Sequence, residues 1–454
     1  MIISRVKSVK FSRVMKFESI EDLIGNTPLV RVNKLCRHFP VNVWAKCEYF
    51  NPGGSIKDRI AKSMLDSAVA QNKTFSTIIE PSSGNTAIGL ALLSAIRGFE
   101  CIITMPEKCS KEKEIVLQAL GATIFRTRTE EPSESPYSHI GIAFRMKEML
   151  QGAFIPDQYS NEANPQHHYD FTAEEILRDL DGKIDMFVAS PGTGGTLTGV
   201  ARKLKEVNPN CIVVAADPIG SILGGGDLVA PYKVEGIGYD FFPKVFDPSL
   251  VDIFVKVSDD DCFWTARDLI RHEGFLVGGS SGANFFAALQ NLHRLKEGSN
   301  CVVVFPDGVR NYLFKFVSNE WIAENGFLKF DDSLKLSDIP IDPKFILQEF
   351  SGNESCQEVS KILLRKNLRF GCVASRGSDF EVFSLNEALI SGDLVKDLRK
   401  SKCSFVNPET PVNQISSRLP VWTELRDQKI FLNRDFLVSL KHLLRQQSKP
   451  QLAN

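Results

Sequence analysis

The segment Asn51-Pro52-Gly53-Gly54-Ser55-Ile56-Lys57-Asp58 leads from a glycine-rich turn into a helix. Ser55 is a favourable N-cap residue, and Asp58 follows three positions later, which is the spacing of a capping box. The pattern predicts a helix that begins at Ile56 and holds Lys57 in its first turn. The partial positive charge at a helix N-terminus lowers the pKa of a lysine, and a neutral amine forms Schiff bases. The alternative is an ordinary solvated lysine.

Beyond this helix, short apolar strands alternate with helical segments as far as Phe305. Continuous apolar strands separated by helices are typical of parallel sheets that are covered on both faces. We therefore predict an α/β fold with two doubly wound parallel-sheet subdomains and a cleft between them. The predicted strands are Thr77–Glu80, Cys101–Thr104, Thr123–Arg126, Asp185–Ser190, Cys211–Ala216 and Cys301–Phe305.

Two strand-to-helix turns are rich in glycine and hydroxyl residues, so their backbone N–H groups can face an anion. The segment Gly192-Thr193-Gly194-Gly195-Thr196 suits a single phosphate. It is not a dinucleotide fingerprint, because Leu197 stands where the third glycine is required, and the P-loop lysine is missing. The segment Ser82-Ser83-Gly84-Asn85-Thr86 suits the carboxylate of a substrate. Taken alone, residues 192–196 also have the composition of an ordinary turn.

A third turn, Gly278-Gly279-Ser280-Ser281-Gly282, formally matches the nucleophile elbow of serine hydrolases. Such an elbow needs a later histidine, and only His293 and His442 follow; the first lies within the helix after the turn and the second near the C-terminus. We therefore do not interpret Ser280 as a hydrolase nucleophile. His167 and His168 are adjacent and lack the spacing of a metal motif, so we predict ordinary polar residues and no metal site.

The composition is that of an ordinary globular protein, with 454 residues, 43% hydrophobic residues and a net charge of −1. This charge predicts no nucleic-acid partner, and no apolar stretch is long enough to predict a membrane span. The ten cysteines include no CxxC pair, which predicts buried thiols in a reducing, cytoplasmic setting. The basic first seventeen residues are consistent with either an organelle transit peptide or, as we prefer, a basic mobile terminus.

A Schiff-base lysine, a phosphate loop and a carboxylate turn together are what pyridoxal phosphate chemistry on an amino acid requires. Residues 20–330 resemble the cysteine synthase and cystathionine β-synthase family, which belongs to fold type II of these enzymes. The resemblance is closer to the members that make cystathionine. It rests on the segments Ile24–Val30, Ala45–Glu48, Gly53–Arg59, Ile79–Thr86, Met105–Lys108, Asp157–Tyr159, His168–Asp170, Gly192–Thr196, Glu235–Phe241 and Pro306–Tyr312.

The resemblance implies a role for each predicted site residue. Lys57 would hold the cofactor through a Schiff base and then move the α-proton, Asn85 would bond the ring hydroxyl, and Ser280 would face the pyridine nitrogen. The cofactor phosphate would lie on Gly192, Thr193, Gly194, Gly195 and Thr196. The substrate would lie on Ser82, Ser83, Gly84, Asn85, Thr86 and Tyr169. The implied reaction is that of a lyase, in which L-serine loses its hydroxyl and L-homocysteine adds to give cystathionine, in a homodimer.

Some positions depart from the family pattern. Ala87 stands where a glycine ends the carboxylate turn, Pro191 precedes the phosphate loop, and Gly308 replaces a serine. A methyl group at residue 87 predicts crowding beside the substrate. No Cys/His pair precedes Ile24, so we predict no haem.

The composition becomes acidic and polar after residue 330. We predict a basic extension over residues 1–19, a catalytic core over 20–330, a linker over 331–342 and a C-terminal α+β module over 343–454. The module weakly resembles a pair of regulatory domains. Its Ser384-x-x-Glu387 and Leu432-x-x-Asp435 only partly match a ribose-binding step, so we favour a structural module over an adenosyl-binding one.

Three functions remain open from the sequence. The first is cystathionine synthesis from serine and homocysteine. The second is a cysteine synthase or sulfide-handling β-replacement on the same scaffold. The third is a non-catalytic sensor that keeps the cofactor and has lost turnover, for which Ala87 is the reason.

Overall fold

The structure is a computed structural model. It describes residues 16–447 apart from 83, 108–110, 129–134, 329–344, 351–354, 367, 375–379, 385–400, 406–419 and 426–427. The chain divides into two compact units, Met1–Tyr312 and Leu313–Asn454. The predicted linker 331–342, Ser83 and Glu387 lie outside the described residues, and so does most of the predicted extension 1–19.

The first unit contains two sheets whose strands we number along the chain. The larger sheet has the order β1-β2-β10-β7-β8-β9, and every pairing is parallel except that of β1 with β2. The smaller sheet, β5-β4-β3-β6, is parallel throughout. The strands are β1 Leu29–Val32, β2 Asn42–Cys47, β3 Thr77–Pro81, β4 Glu100–Pro106, β5 Thr123–Thr127, β6 Ala153–Phe154, β7 Met186–Ala189, β8 Ile212–Pro218, β9 Ile253–Val257 and β10 Asn300–Phe305.

Helices connect these strands, as expected for parallel neighbours that need a crossover. The predicted α/β fold with two parallel-sheet subdomains is confirmed. A π-helical turn, His168–Thr172, joins α5 to α6. The helices are α1 Lys57–Ala70, α2 Asn85–Arg97, α3 Lys111–Ala119, α4 His139–Met149, α5 Ala163–His167, α6 Ala173–Asp179, α7 Gly195–Val207, α8 Asp259–Asp268 and α9 Gly279–Asn291.

Each sheet has its own hydrophobic core. In the larger sheet, Leu197 and Val200 of α7 pack with Val213 and Val302 of the strands, and all four are buried. In the smaller sheet, one cluster lies between α2, α3 and β4, and others pack α1 and α4 against β3. All strands of the larger sheet except β1 are parallel, so their carboxyl ends meet at one edge. The turns that follow β7 and β10 are therefore brought together there.

A buried ionic network holds the start of α1. The guanidinium of Arg59 donates to both Glu48 and Glu175, at 2.6 to 2.9 Å, and Lys46 donates to Glu175 at 2.7 Å. Arg59 and Glu48 are fully buried. Burying charges is costly unless each is paired, and here every charge has a partner. The network fixes the helix turn that carries Lys57.

The second unit contains a mixed six-stranded sheet in the order β11 to β16, consistent with the predicted α+β class. The pairs β11–β12 and β14–β15 are parallel, and the other three pairs are antiparallel. Its elements are β11 Leu347–Phe350, β12 Phe370–Ala374, β13 Phe380–Ser384, β14 Ser401–Phe405, β15 Val421–Leu425, β16 Gln428–Leu432, α10 Asn319–Glu324, α11 Cys356–Arg365 and α12 Arg434–Gln447.

Candidate functional site

Helix α1 begins at Lys57, as the sequence predicted to within one residue. The hydroxyl of Ser55 accepts the backbone N–H of Lys57 at 3.1 Å. The predicted capping box is wrong, because the Asp58 carboxylate turns back and accepts the backbone N–H of Gly53 instead. Asp58 therefore closes the glycine turn that precedes the helix.

The amine of Lys57 has a lowered pKa, as predicted, but for a different reason. Burial disfavours the charged amine and is the main cause, while the nearby Asp307 carboxylate opposes the shift. The amine makes no hydrogen bond or ion pair with another described residue. A lowered pKa makes the unpaired amine a better nucleophile than a solvated lysine.

Asp307 follows strand β10 and interacts with two predicted site residues, Asn85 and Lys57. Its Oδ2 accepts from Nδ2 of Asn85 at 2.9 Å and from the hydroxyl of Tyr312 at 2.6 Å. Burial raises the pKa of Asp307, and its Oδ1 has no partner among the described residues. Asn85 also accepts from Asn311 at 3.3 Å, so both ends of its side chain are held. Asp307 was not among the residues predicted from the sequence, although it lies in the segment Pro306–Tyr312 that carries the resemblance.

The predicted phosphate loop turns into α7 at Gly194, whose φ of +86° lies in the left-handed region. A Cβ at Gly195 would collide with the side chain of Asn164. Nδ2 of Asn164 donates to the hydroxyl of Thr193 at 3.0 Å. The first amides of a helix have no partner within the helix, so the start of α7 offers N–H groups to an anion.

His168 contacts this loop, although the sequence predicted only an ordinary polar residue. Its Nε2 lies 3.2 Å from the hydroxyl of Thr196, and its Nδ1 lies 2.9 Å from that of Thr172. Burial is the main reason that the pKa of His168 is well below its usual range. His168 is therefore a neutral hydrogen-bonding residue and not an ordinary surface one. Among the described residues no cluster of metal-ligating side chains is found.

The predicted carboxylate turn lies between β3 and α2. Ser82 is buried and accepts the backbone N–H of Gly84 at 3.4 Å. Thr86 donates its hydroxyl to Oε1 of Gln158 at 2.7 Å. Ser83 lies outside the described residues.

Ser280 lies at the start of α9 and is buried. The backbone N–H of Gly278, two residues earlier, donates to the backbone oxygen of Asp307 at 3.1 Å. The start of α9 is thereby held beside Asp307. Lys57, Asn85 and the turn that carries Ser280 thus all lie around this one residue.

Tyr169 lies outside this cluster in the structure, and its role in substrate binding stays a prediction. Its hydroxyl donates to Glu206 at 2.6 Å, and Lys203 lies over its ring at 4.8 Å. Glu206 is near the end of α7, roughly 15 Å along the helix from the phosphate loop at its start. The fold therefore directs Tyr169 away from Thr196.

Ala87 lies in the core of the smaller sheet. It is fully buried and packs in the same hydrophobic cluster as Ile103, Met105 and Leu117. Its methyl group therefore contributes to packing between α2 and β4. This placement favours a packing role for the methyl group over the predicted crowding beside the substrate.

The family model for "Pyridoxal-phosphate dependent enzyme" matches residues 20–307. This segment contains Lys57, both glycine turns and Asp307. The chain belongs to the pyridoxal-phosphate dependent enzyme family. Its membership confirms the resemblance on which the assignments of the sequence analysis rest.

Relatives within this family are named cystathionine beta-synthase. The protein of Rattus norvegicus is 52% identical over 321 residues, which cover 69% of this chain and 57% of the relative. That of Apis mellifera is 45% identical over 376 residues, covering 79% of this chain and 74% of the relative. The matched segment thus spans little more than half the length of the rat protein.

Solved structures of pyridoxal-phosphate enzymes share the fold. An O-acetylserine dependent cystathionine beta-synthase from Helicobacter pylori is 38% identical, with a TM-score of 0.62, and the match covers 66% of this chain and 99% of that one. A hydrogen sulfide-producing enzyme from Fusobacterium nucleatum is also 38% identical, with a TM-score of 0.62, over 66% of this chain and all of the other. Within the described part of the chain, no helix is long and apolar enough to cross a bilayer.

Proposed function

We propose that this protein condenses L-serine with L-homocysteine to cystathionine and water, as a pyridoxal-phosphate dependent lyase. One observation carries the proposal: the amine of Lys57 has a pKa that burial lowers and is unpaired among the described residues, and Asp307 is the carboxylate whose charge acts on it. The identity to relatives named cystathionine beta-synthase supports the choice of substrates.

The residues present fit the cofactor. Lys57 would supply an unpaired amine of lowered pKa, and residues 192–196 would supply helix amides and two hydroxyls for the phosphate. The collision of a Cβ at Gly195 with Asn164 explains why this loop needs a residue without a side chain. Oδ1 of Asp307 is a buried acceptor without a partner among the described residues. Asn85 and Ser280 would contact the ring.

When bound, the cofactor withdraws electrons from the α-carbon of the amino acid. The protein groups have three tasks around it. Lys57 would take the α-proton at Nζ, which its lowered pKa permits. Ser82, Ser83, Gly84 and Thr86 would bind the carboxylate of serine and so orient the α-carbon towards Lys57. Asp307, held by Asn85 and Tyr312, would oppose complete loss of charge from the amine.

A second candidate is β-replacement with O-acetylserine or sulfide. The solved structures from Helicobacter pylori and Fusobacterium nucleatum favour it, because their names specify O-acetylserine dependence and hydrogen sulfide production. A non-catalytic sensor loses its motivation, since the methyl group of Ala87 lies in the core.

We also propose a homodimer, as the resemblance implies, that acts in the cytoplasm without haem. The nine described cysteines are free and buried, which suits a reducing compartment. We further propose domain boundaries at residues 19, 330 and 342, and a structural role for the C-terminal module. The resemblance supports the boundaries, and the incomplete ribose-binding steps support the structural role.

The test is a visible spectrum of the purified protein before and after addition of serine, with and without homocysteine. We expect a cofactor absorption band that changes with serine, and cystathionine when both substrates are present. Lys57→Ala should lack the band. A band that persists in Lys57→Ala would overturn the cofactor assignment. A response to serine without cystathionine, together with turnover of O-acetylserine and sulfide, would favour the second candidate.

A further inference from the structure

Asn164, on α5, packs against the predicted phosphate loop at Gly195 and is fully buried. Its Nδ2 donates to the backbone oxygen of Gln158 at 2.9 Å and to the hydroxyl of Thr193 at 3.0 Å. Its Oδ1 has no hydrogen-bond partner among the described residues. The amide group of Asn164 therefore acts in this part of the fold as a donor, with one N–H for each of the two oxygens.

The orientation of the Asn164 amide follows from its neighbours. A backbone oxygen can only accept a hydrogen bond, so the end of the amide that faces Gln158 is the nitrogen. The same nitrogen contacts Thr193, so Asn164 is the donor and the hydroxyl is the acceptor in that bond. A flipped amide would place its oxygen against that of Gln158, which explains why this orientation persists although Oδ1 stays unpaired.

The hydroxyl of Thr193 is thereby left to donate its own proton. It accepts from Asn164 and, over a longer distance of 3.4 Å, from the backbone N–H of Gly195. A hydroxyl has two acceptor sites and one proton, so two incoming N–H groups leave only the proton for a further partner. Among the described residues none accepts this proton. A phosphate oxygen, which accepts hydrogen bonds, is a suitable partner for it.

The second hydroxyl of the loop does not have its direction fixed in this way. Oγ1 of Thr196 lies 3.2 Å from Nε2 of His168. A neutral histidine donates or accepts at that nitrogen according to its tautomer, so Thr196 can face it as acceptor or as donor. Thr193 is therefore the hydroxyl of the loop whose hydrogen-bonding direction a buried side chain decides.

We propose that Asn164 is a positioning residue for a phosphate monoester, because its amide directs the hydroxyl of Thr193 to donate to the phosphate of the cofactor. The inference rests on the proposed function, since it takes residues 192–196 as the phosphate site. It adds a residue from outside the loop, whose effect on the cofactor passes through Thr193. Without Asn164, the hydroxyl of Thr193 is free to rotate and to donate elsewhere.

The experiment compares the affinities of pyridoxal phosphate and pyridoxal for the full-length protein freed of cofactor. The two molecules share the ring and the aldehyde, and only the first carries the phosphate. Absorbance titrations give both dissociation constants, and their ratio isolates the contribution of the phosphate. We expect Asn164→Ala to lower the preference for pyridoxal phosphate about tenfold, the effect of one hydrogen bond to a charged group.

A double-mutant cycle tests whether the effect passes through Thr193. Thr193→Val removes the hydroxyl and should lower the preference for pyridoxal phosphate at least as far as Asn164→Ala does. When Thr193 is already valine, adding Asn164→Ala should leave the ratio unchanged, because the group that Asn164 directs is gone.

Asn291→Ala is the matched control. Asn291 is also a buried asparagine, and its Nδ2 donates to the backbone oxygen of Ala287 at 2.9 Å near the end of α9. The substitution removes a similar hydrogen bond and leaves the donor to Thr193 in place. The preference for pyridoxal phosphate should therefore stay at the wild-type value.

If Asn164→Ala does not fold, Asn164→Asp provides the second test, because it keeps the shape of the side chain. Its carboxyl group can donate to Thr193 while protonated, and as a carboxylate it can only accept. The preference for pyridoxal phosphate should therefore fall relative to wild type as the pH rises from about 6 to about 9. Titrations of the cofactor and of Lys57 are common to both proteins and cancel in this comparison.

The outcomes separate this inference from the function on which it rests. An unchanged ratio in Asn164→Ala, or equal losses for the two ligands, would overturn the role of Asn164 alone. A further loss on adding Asn164→Ala to Thr193→Val, or a ratio in Asn164→Asp that follows wild type at every pH, would do the same. A wild-type protein that binds pyridoxal phosphate no more tightly than pyridoxal would refute the phosphate loop of the proposed function, and the role of Asn164 would fall with it.

Discussion

Asn85, at the start of α2 on the smaller sheet, donates to Asp307, at the end of β10 on the larger sheet, over 2.9 Å. The two residues are 222 positions apart in the chain. Their hydrogen bond joins the carboxylate turn of one sheet to the strand end of the other, and Asp307 also acts on Lys57. The bond therefore lies at the centre of the candidate site.

Removing the charge of Asp307 is expected to lower the pKa of Lys57 further. The carboxylate opposes the effect of burial, so in Asp307→Asn burial would act alone. The rate at which the cofactor-free protein takes up pyridoxal phosphate, followed by absorbance against pH, should have a lower midpoint than wild type. Asp66→Asn, a half-exposed carboxylate on α1, is the matched control. An unchanged or higher midpoint in Asp307→Asn would contradict this role.

The ionic network under α1 should make Arg59 essential to stability. Arg59→Met leaves the carboxylates of Glu48 and Glu175 buried without their main partner, which costs about 3–5 kcal/mol in the free energy of unfolding. Arg97→Met removes a more exposed pair with Glu21 and should cost about 1 kcal/mol or less. Urea denaturation at neutral pH measures both. Equal losses in the two variants would show that the network is not specially stabilising.

Gly195→Ala should weaken cofactor binding. The new methyl group would collide with Asn164, whose amide holds Thr193, and overpacking of a buried contact costs about 1–3 kcal/mol. We expect the affinity for pyridoxal phosphate, from fluorescence titration, to fall at least tenfold. The double variant Gly195→Ala/Asn164→Ala lacks the side chain with which the new methyl group collides. Adding Gly195→Ala to Asn164→Ala should therefore weaken binding less than Gly195→Ala does in wild type. Purely additive effects would rule out the collision.

Glu80 should make the native state less stable as the pH rises. Its pKa is about 8 in the folded protein and 4.5 in the reference state, so the folded state binds the proton more tightly. Wild type therefore loses stability relative to Glu80→Gln between about pH 4.5 and pH 8, by a few kcal/mol in all. Parallel urea titrations of the two proteins at pH 5, 7 and 9 measure the difference. A difference that stays constant with pH would mean that Glu80 does not titrate in this range.

Ala87→Gly is expected to destabilise the protein without raising its turnover. The methyl group is buried in the smaller core, and glycine is unfavourable within a helix, so the substitution should cost between about 1 and 2 kcal/mol. Denaturation and steady-state assays on the same preparation measure the two effects. A gain in turnover would restore the interpretation that Ala87 crowds the substrate.

The sequence by itself determined the local elements and the family. Apolar runs such as Thr77–Glu80 and Cys301–Phe305 became strands β3 and β10 with ends shifted by one residue, because strands buried on both faces have an unambiguous pattern. The glycine turn before Lys57 placed the lysine in the first turn of a helix. These properties depend on neighbours within a few positions, which the sequence displays directly.

Only the tertiary structure decided which groups meet. Three hydrogen bonds join residues that are distant in the sequence or depend on which face of a helix turns inward. They are those of Asn85 with Asp307, His168 with Thr196, and Tyr169 with Glu206. The cause of the lowered pKa of Lys57 is likewise burial, a property of the assembled core and not of the helix terminus alone. Hydrogen bonding and desolvation depend on three-dimensional proximity, and spacing along the chain does not specify it.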